Sequence, residues 1–149
     1  MIWLENRIPP PLVTLALGAA MYPAADAAPA HPLRITLALL LAGAAIILTL
    51  PALRAFRKAR TTVNPIRVEK ASTLVTTGIY RVTRNPMYLG MVILLCAWAA
   101  WLGGPLVWLG PLALLLWLDR FQIRPEERAM HTLFGAEFDA YRARTRRWL

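Results

Sequence analysis

Two stretches concentrate the residue types that could do chemistry. The first is Thr77-Gly78-Ile79-Tyr80-Arg81-Val82-Thr83-Arg84-Asn85-Pro86-Met87-Tyr88-Leu89-Gly90, where tyrosines, arginines and an asparagine run straight into a long apolar segment. The second is Glu126-Glu127, an acidic pair in a strongly basic neighbourhood. Each residue has a plain structural role open to it. Asn85 can cap a helix, Tyr80 and Tyr88 can be interface aromatics, Arg81 and Arg84 can anchor lipid phosphates, and acids in a first helical turn are favoured by the helix dipole. Their density at one polar–apolar junction is what points to a site.

The elements that must position these residues are apolar helices. The chain has 149 residues, 58% of them hydrophobic, with a mean hydropathy of +0.47. That is far more apolar than a soluble domain of this length. The apolar residues gather into four runs, so the expected fold is an all-α integral membrane protein of one domain. The runs are placed at 11–28, 33–53, 86–102 and 106–118, with a loop at 54–85 and a tail at 119–149.

The first run is interrupted by Pro23, Asp26 and Pro29, and without its alanine-rich end it is too short to cross a hydrocarbon core about 30 Å thick. The second carries Ala42, Gly43, Ala44 and Ala45 at its middle, where a neighbouring helix could approach closely. Asn85-Pro86 opens the third, with proline at its favoured first position, and Gly103-Gly104-Pro105 turns into the fourth. Trp98, Trp101, Trp108 and Trp117 fall near the helix ends, and Trp3 is a further interface anchor.

Between the second and third runs the composition reverses. Asn64-Pro65 marks a turn, and Leu74-Val75-Thr76-Thr77 reads as irregular or extended. A loop this long in a compact domain is usually functional or disordered, and its embedded apolar residues favour the former. Beyond Asp119 the tail keeps helical periodicity. Pro125 predicts a break or kink at Arg124, then helices from Pro125 to Leu133 and from Ala136 to about Arg146.

A net charge of +9 and a pI near 11.0 would suggest nucleic acid in a soluble chain. Here the basic residues serve as topology signals. Loop and tail are both basic, which places both, and both termini, in the cytoplasm, with a bacterial inner membrane as the setting. The third run leaves the face that holds Arg84 and the fourth comes back to it, which returns Glu126-Glu127 to that face. The single Cys96 excludes an internal disulfide and a cysteine metal cluster. No Gly-x-Gly-x-x-Gly and no strand–helix alternation appear, so a soluble dinucleotide-type fold is excluded.

The pattern Gly78-x-Tyr80-x-x-x-Arg84-Asn85-Pro86-x-Tyr88-x-Gly90, followed by Glu126-Glu127-x-x-Met130-x-x-x-Phe134-Gly135-x-x-Phe138-x-x-Tyr141, resembles the isoprenylcysteine carboxyl methyltransferase family and its phospholipid methyltransferase relatives. The resemblance covers residues 61 to 149. Asn85 replaces the family's usual histidine, which removes any mechanism needing a histidine proton there. Phe138 and Met130 replace tyrosine and leucine.

The resemblance implies a membrane methyltransferase that carries a methyl group from S-adenosylmethionine, leaving S-adenosylhomocysteine, to a lipophilic acceptor. It implies cofactor contacts from Val75, Gly78, Tyr80, Arg84, Asn85, Pro86, Tyr88, Glu126 and Glu127, with no metal. The carboxylates of Glu126 and Glu127 would hold the cofactor's amino group and Arg84 its carboxylate. The rings of Tyr80, Tyr88 and Phe134 suit the sulfonium, and Gly78 lets the backbone approach the adenosine. Arg120 and Glu127 are the catalytic candidates, because a carboxylate acceptor needs an orienting arginine and an amine needs a base. Carboxylate and amine acceptors both stay open, as does the oligomeric state. Two other readings remain, a reductase-like protein with a nicotinamide cofactor and a non-enzymatic binder of anionic lipids.

Overall fold

The computed structural model describes residues 5, 7–26, 31–59 and 73–149. The expected features at Trp3, Ala28 to Pro29 and Asn64-Pro65 lie outside the described residues. Among the described residues six α-helices follow in order. Helix α1 spans Pro10–Met21 and continues into a 3-10 turn at Tyr22–Ala24, α2 spans Pro32–Ala59, and α3 spans Pro86–Leu102. Helices α4 (Leu109–Trp117), α5 (Arg124–Phe134) and α6 (Ala136–Arg144) complete the chain. Among the described residues the only pairing of extended backbone is one parallel bridge between Thr83 and Arg146. The protein is therefore all-α.

Several boundaries differ from the sequence reading: α1 and its 3-10 turn end at Ala24, α6 ends at Arg144 and not Arg146, and two differences are larger. Helix α2 does not stop at Leu53 but runs on through Arg54 to Ala59. Its last turn carries Arg57 and Lys58, cations that suit a helix C-terminus, and Ala52, Ala55 and Phe56 pack on Tyr80. Nor does Pro125 break the chain. Residues Leu106–Phe134 form one continuous 29-residue helix, because a wide π turn at Leu118–Ile123 precedes the proline. In that turn the Arg124 N–H bonds five residues back, to the Asp119 carbonyl. The shifted ladder accommodates a residue that has no N–H to give.

Helix α3 is the centre of the bundle, with α2 on one side and α1 and α4 on the other. Met21, Val92, Leu95, Ala99, Leu102, Val107, Leu114 and Leu118 form the shared core of α1, α3 and α4. The chain alternates direction. At one end the Asp26 N–H meets the Leu102 carbonyl at 3.2 Å, and Arg34 donates to the carbonyls of Ala100 (3.4 Å) and Trp101 (3.0 Å). Those are last-turn carbonyls of α3 that have no partner within the helix. At the other end Glu5 pairs with Arg120 and Arg128. The start of the chain and its C-terminal helices thus share one end of the bundle.

The outward faces are apolar. Leu37, Leu39, Leu40, Ile46, Ile47 and Leu50 on α2 and Leu109, Leu112 and Leu116 on α4 are exposed. In water such a surface would be an aggregation liability, and in lipid it is the matched solvent. Helix α2 and the Leu106–Phe134 helix are long and apolar enough to cross a membrane. The 12 residues of α1 span only about 18 Å by themselves.

Helices α2 and α3 cross at Gly90. A β-carbon there would lie 2.2 Å from Thr49 Oγ1 and 3.3 Å from the Ala45 carbonyl. Gly90→Val should force this crossing apart and destabilise the protein by about 1–3 kcal/mol, the usual effect of overpacking. A thermal unfolding curve in detergent would show it as a lowered midpoint.

Candidate functional site

At the polar end of the bundle the chain must turn from the loop into α3 in a short space. Gly78 has φ of 61°, a left-handed conformation that suits glycine, and starts a 3-10 turn over Gly78–Arg81. The turn carries Tyr80 inward, where it is buried edge-on to Phe56 at 5.5 Å. Tyr141 Oη of α6 donates to the Tyr80 carbonyl at 2.7 Å. A β-carbon on Gly78 would meet nothing within 4 Å, so backbone angle, not crowding by the protein, is what calls for glycine here. Val75 joins the small apolar cluster of Ala52, Tyr80, Phe138 and Tyr141.

The next residues are stitched to the C-terminal tail. The Arg84 N–H donates to the Arg146 carbonyl at 2.9 Å, and Thr83 Oγ1 donates to the Arg147 carbonyl at 3.1 Å. Asn85 stands at the cap position of α3 but its side chain does not cap the helix. Its Nδ2 donates instead to the Arg147 carbonyl at 2.9 Å. The Arg147 carbonyl, which also accepts from Thr83, thereby holds the Asn85 amide toward the tail.

The two sequence motifs meet at Glu127. Arg84 Nη2 lies 2.6 Å from Glu127 Oε1, and Arg147 binds the same carboxylate with Nη2 at 2.5 Å and Nε at 3.2 Å. Arg147 Nη1 continues to Asp119 at 2.8 Å, which also takes Arg124 at 2.8 Å. Arg84 donates further to the carbonyls of Arg142 and Thr145. Burial works to raise the Glu127 carboxyl, yet hydrogen bonds and charge from Arg147 and Arg84 outweigh it, and the group sits below the ordinary carboxylate range. Glu127 is a fixed anion.

Glu126 is its opposite. It lies past Leu118, where the apolar stretch ends, and its carboxyl accepts from Gln122 Nε2 at 2.7 Å and from Tyr88 Oη. Burial pushes it up to about 7; hydrogen bonds from Gln122 and Tyr88 pull it down, and the Glu127 charge adds to the rise. Tyr80 Oη and Arg84 Nε are buried and, among the described residues, have no hydrogen-bond partner. Burial, then the charges of Tyr141 and Glu126, hold the Tyr80 phenol well above its ordinary range. A proton-sharing carboxyl and unpaired polar atoms therefore lie at the junction of α3 with the Leu106–Phe134 helix. Such groups cost stability where they serve only structure.

Of the expected residues, Tyr80, Arg84, Asn85, Pro86, Tyr88, Glu126 and Glu127 assemble here, while Val75 and Gly78 flank them. Arg120 does not join them. It pairs with Glu5 at 2.7 Å, with its guanidinium 5.3 Å over the Phe121 ring. Sequence reasoning missed Gln122, Asp119 and Arg147. Gln122 stands one helical turn before Glu126, a spacing that could have been read; nothing local marks Arg147 among the tail's arginines.

The Glu126 carboxyl generates a pH signature. A carboxyl raised in the folded state holds its proton where the unfolded chain has lost it, so stability falls as pH climbs from about 4.5 to about 7 and is then level. Glu126→Gln should remove that slope. Its unfolding midpoint relative to the wild type should rise through this window, as read from thermal scans at a series of pH values. A constant offset across the series would show that Glu126 titrates normally.

An uncharacterized protein of Haemophilus influenzae is 43% identical over 63 residues, which are 42% of this chain and the whole of that relative. No solved structure matches the chain significantly. The family model described as phospholipid methyltransferase matches residues 33–137, taking in α2 from its second residue, α3, the Leu106–Phe134 helix, the whole first motif and the second motif as far as Gly135. The chain therefore belongs to the phospholipid methyltransferase family, whose members are membrane methyltransferases acting on lipid-like substrates.

Proposed function

We propose that the protein is an S-adenosylmethionine-dependent methyltransferase acting on a lipophilic acceptor at the polar end of the bundle. The observation that carries this reading is the partly buried Glu126 carboxyl, framed by Tyr88 and Gln122, in the same junction as the unpaired Tyr80 hydroxyl. A buried carboxyl wants a cation, and an unpaired phenol wants a polar partner. An aminocarboxylate with a cationic sulfur meets both needs, so the residues fit the cofactor. When bound, S-adenosylmethionine supplies an electrophilic methyl group, its sulfur keeping the bonding pair as S-adenosylhomocysteine leaves.

The chain's own residues would then divide the work. Glu126 receives the cofactor's ammonium group. Glu127 and Arg84, already paired, hold the loop against α5 and leave Arg84 Nε to face the cofactor carboxylate. Tyr80 and Tyr88 bring ring faces to the cationic sulfur. The apolar ends of α3 and α4 exclude water and orient a lipid tail, which aligns acceptor, methyl carbon and sulfur.

Glu127 is too acidic in its double arginine clasp to serve as a general base. An amine acceptor would more readily give its proton to Glu126, whose affinity for protons is near neutral. A prenylcysteine-like carboxylate would need no base. Arg120, held by Glu5, would have to exchange that partner in order to orient such a carboxylate. The basic end of the bundle faces the cytoplasm of a bacterial inner membrane on this reading, with both termini there.

Two measurements test the proposal. Purified protein in detergent should bind S-adenosylhomocysteine and not NADPH, and should move labelled methyl from S-adenosylmethionine into a total lipid extract. Binding of NADPH alone would replace the reading with the reductase-like one. The acidic pair should also split in mutation. Glu126→Gln, which keeps the hydrogen-bonding shape, should weaken cofactor binding about tenfold or more, the scale of one charge-assisted contact, with little loss of stability. Glu127→Gln should lower stability by roughly 3 kcal/mol, because two guanidinium groups lose their anion. Equal effects of both on binding and stability would contradict the assignment.

A further inference from the structure

Beside the Glu126–Glu127 junction, a second feature has no assigned partner. A cavity of about 360 Å³ is lined by Thr76, Thr77, Arg81, Arg144 and Thr145. Its two cations come from different elements: Arg81 ends the 3-10 turn that carries Tyr80, and Arg144 ends α6. Three hydroxyl side chains complete the lining, and it contains no acid.

The arginines at the Glu127 clasp are engaged by acids. Arg84 and Arg147 bind Glu127, and Arg124 binds Asp119. Among the described residues, Arg81 and Arg144 make no ion pair or side-chain hydrogen bond, although they face one space. Two like charges held at one concave site repel each other, and an anion between them relieves that repulsion. Guanidinium forks and hydroxyl donors match the oxygens of a tetrahedral phosphate, which accept from several directions at once.

The cavity lies at the same end of the bundle as the basic loop and tail, where the apolar faces of α2 and α4 end and lipid headgroups would lie. It also touches the candidate site mechanically. The Thr145 carbonyl accepts from Arg84, and Tyr141, one turn before Thr145, holds the Tyr80 carbonyl.

We infer that this cavity is a phosphate subsite that takes the phosphodiester of a phospholipid headgroup, with Arg81 and Arg144 as its cationic walls and Thr76, Thr77 and Thr145 as hydroxyl donors. This deepens the proposed function by fixing where a phosphate-bearing lipid would rest, but the subsite stands on its own lining residues and does not need methyl transfer to occur. The source of the phosphate is taken to be a lipid because the cavity's lining lies at the polar end of a bundle whose outward faces are apolar; a soluble phosphate ester shares the chemistry and is separated by experiment.

The test is native mass spectrometry of the full chain released from neutral detergent micelles. The added probes, in separate arms, are phosphatidylglycerol, diacylglycerol, which has the tails without the phosphate, and glycerol 3-phosphate, which has the phosphate without the tails. Wild-type protein should retain phosphatidylglycerol and not diacylglycerol. The double variant Arg81→Gln with Arg144→Gln should lose that retention about tenfold or more, the scale of one charge-assisted contact or more, while Arg81→Lys with Arg144→Lys keeps a substantial part of it.

Retention of glycerol 3-phosphate as well would keep the subsite and make its ligand a soluble ester. Undiminished lipid retention by the glutamine variant overturns the inference. So does a variant that keeps the lipid but loses S-adenosylhomocysteine, for then the cavity belongs to the cofactor. A wild-type protein that binds no S-adenosylhomocysteine yet shows the arginine-dependent lipid retention would refute the methyltransferase reading and leave the subsite intact. Both arginines are exposed, and the thermal midpoint of each variant separates lost binding from lost folding.

Discussion

The clasp of Arg84 and Arg147 on Glu127 is the constraint on which the polar end of this protein depends. Three segments far apart in sequence, the loop before α3, the start of α5 and the last residues of the tail, are joined at one carboxylate. Desolvating such charges is unfavourable by itself, and only the full set of hydrogen bonds offsets it. The network therefore specifies one arrangement more than it stabilises any. With Glu127 held, its neighbour Glu126 is carried into the bundle, where Tyr88 and Gln122 receive it.

The same economy explains the division between helices and loops. The apolar runs need only match lipid, so they tolerate exposed leucines and short lengths. Positional accuracy is concentrated where backbone leaves the bundle. There, the tail supplies carbonyls to Thr83, Arg84 and Asn85, and a small aromatic cluster of Tyr80, Phe138 and Tyr141 backs the turn that follows Gly78. Phospholipid methyltransferase family membership gives this end its chemical meaning, because the matched residues include both halves of the junction.

Much of this was legible in the sequence. Hydropathy located the helices, Asn85-Pro86 marked the start of α3, and the even number of runs brought Glu126 and Glu127 back to Arg84. The residues that make the junction particular were less visible. Asn85 has the signature of a cap, and only the folded tail reveals that its amide has another carbonyl to serve. Arg147 is one of many tail arginines, and its role depends on long-range placement that no local pattern encodes. Pro125 misled for a related reason. Propensity assigns it a break, but the preceding turn can widen, and tertiary packing of Leu118 and Ile123, both fully buried, holds it open.

That widened turn sets the phase of everything after it. Adding one residue to a helical turn rotates all later side chains by about 100° about the axis, the angular step of a helix with 3.6 residues per turn. The Leu118–Ile123 segment thus works as a fixed rotary offset between a lipid-facing rod and a polar lever on the same axis. The leucines upstream keep one azimuth and the two glutamates downstream take another. A single helix can then answer two solvents, with its hydrocarbon face and its ionic face aimed independently.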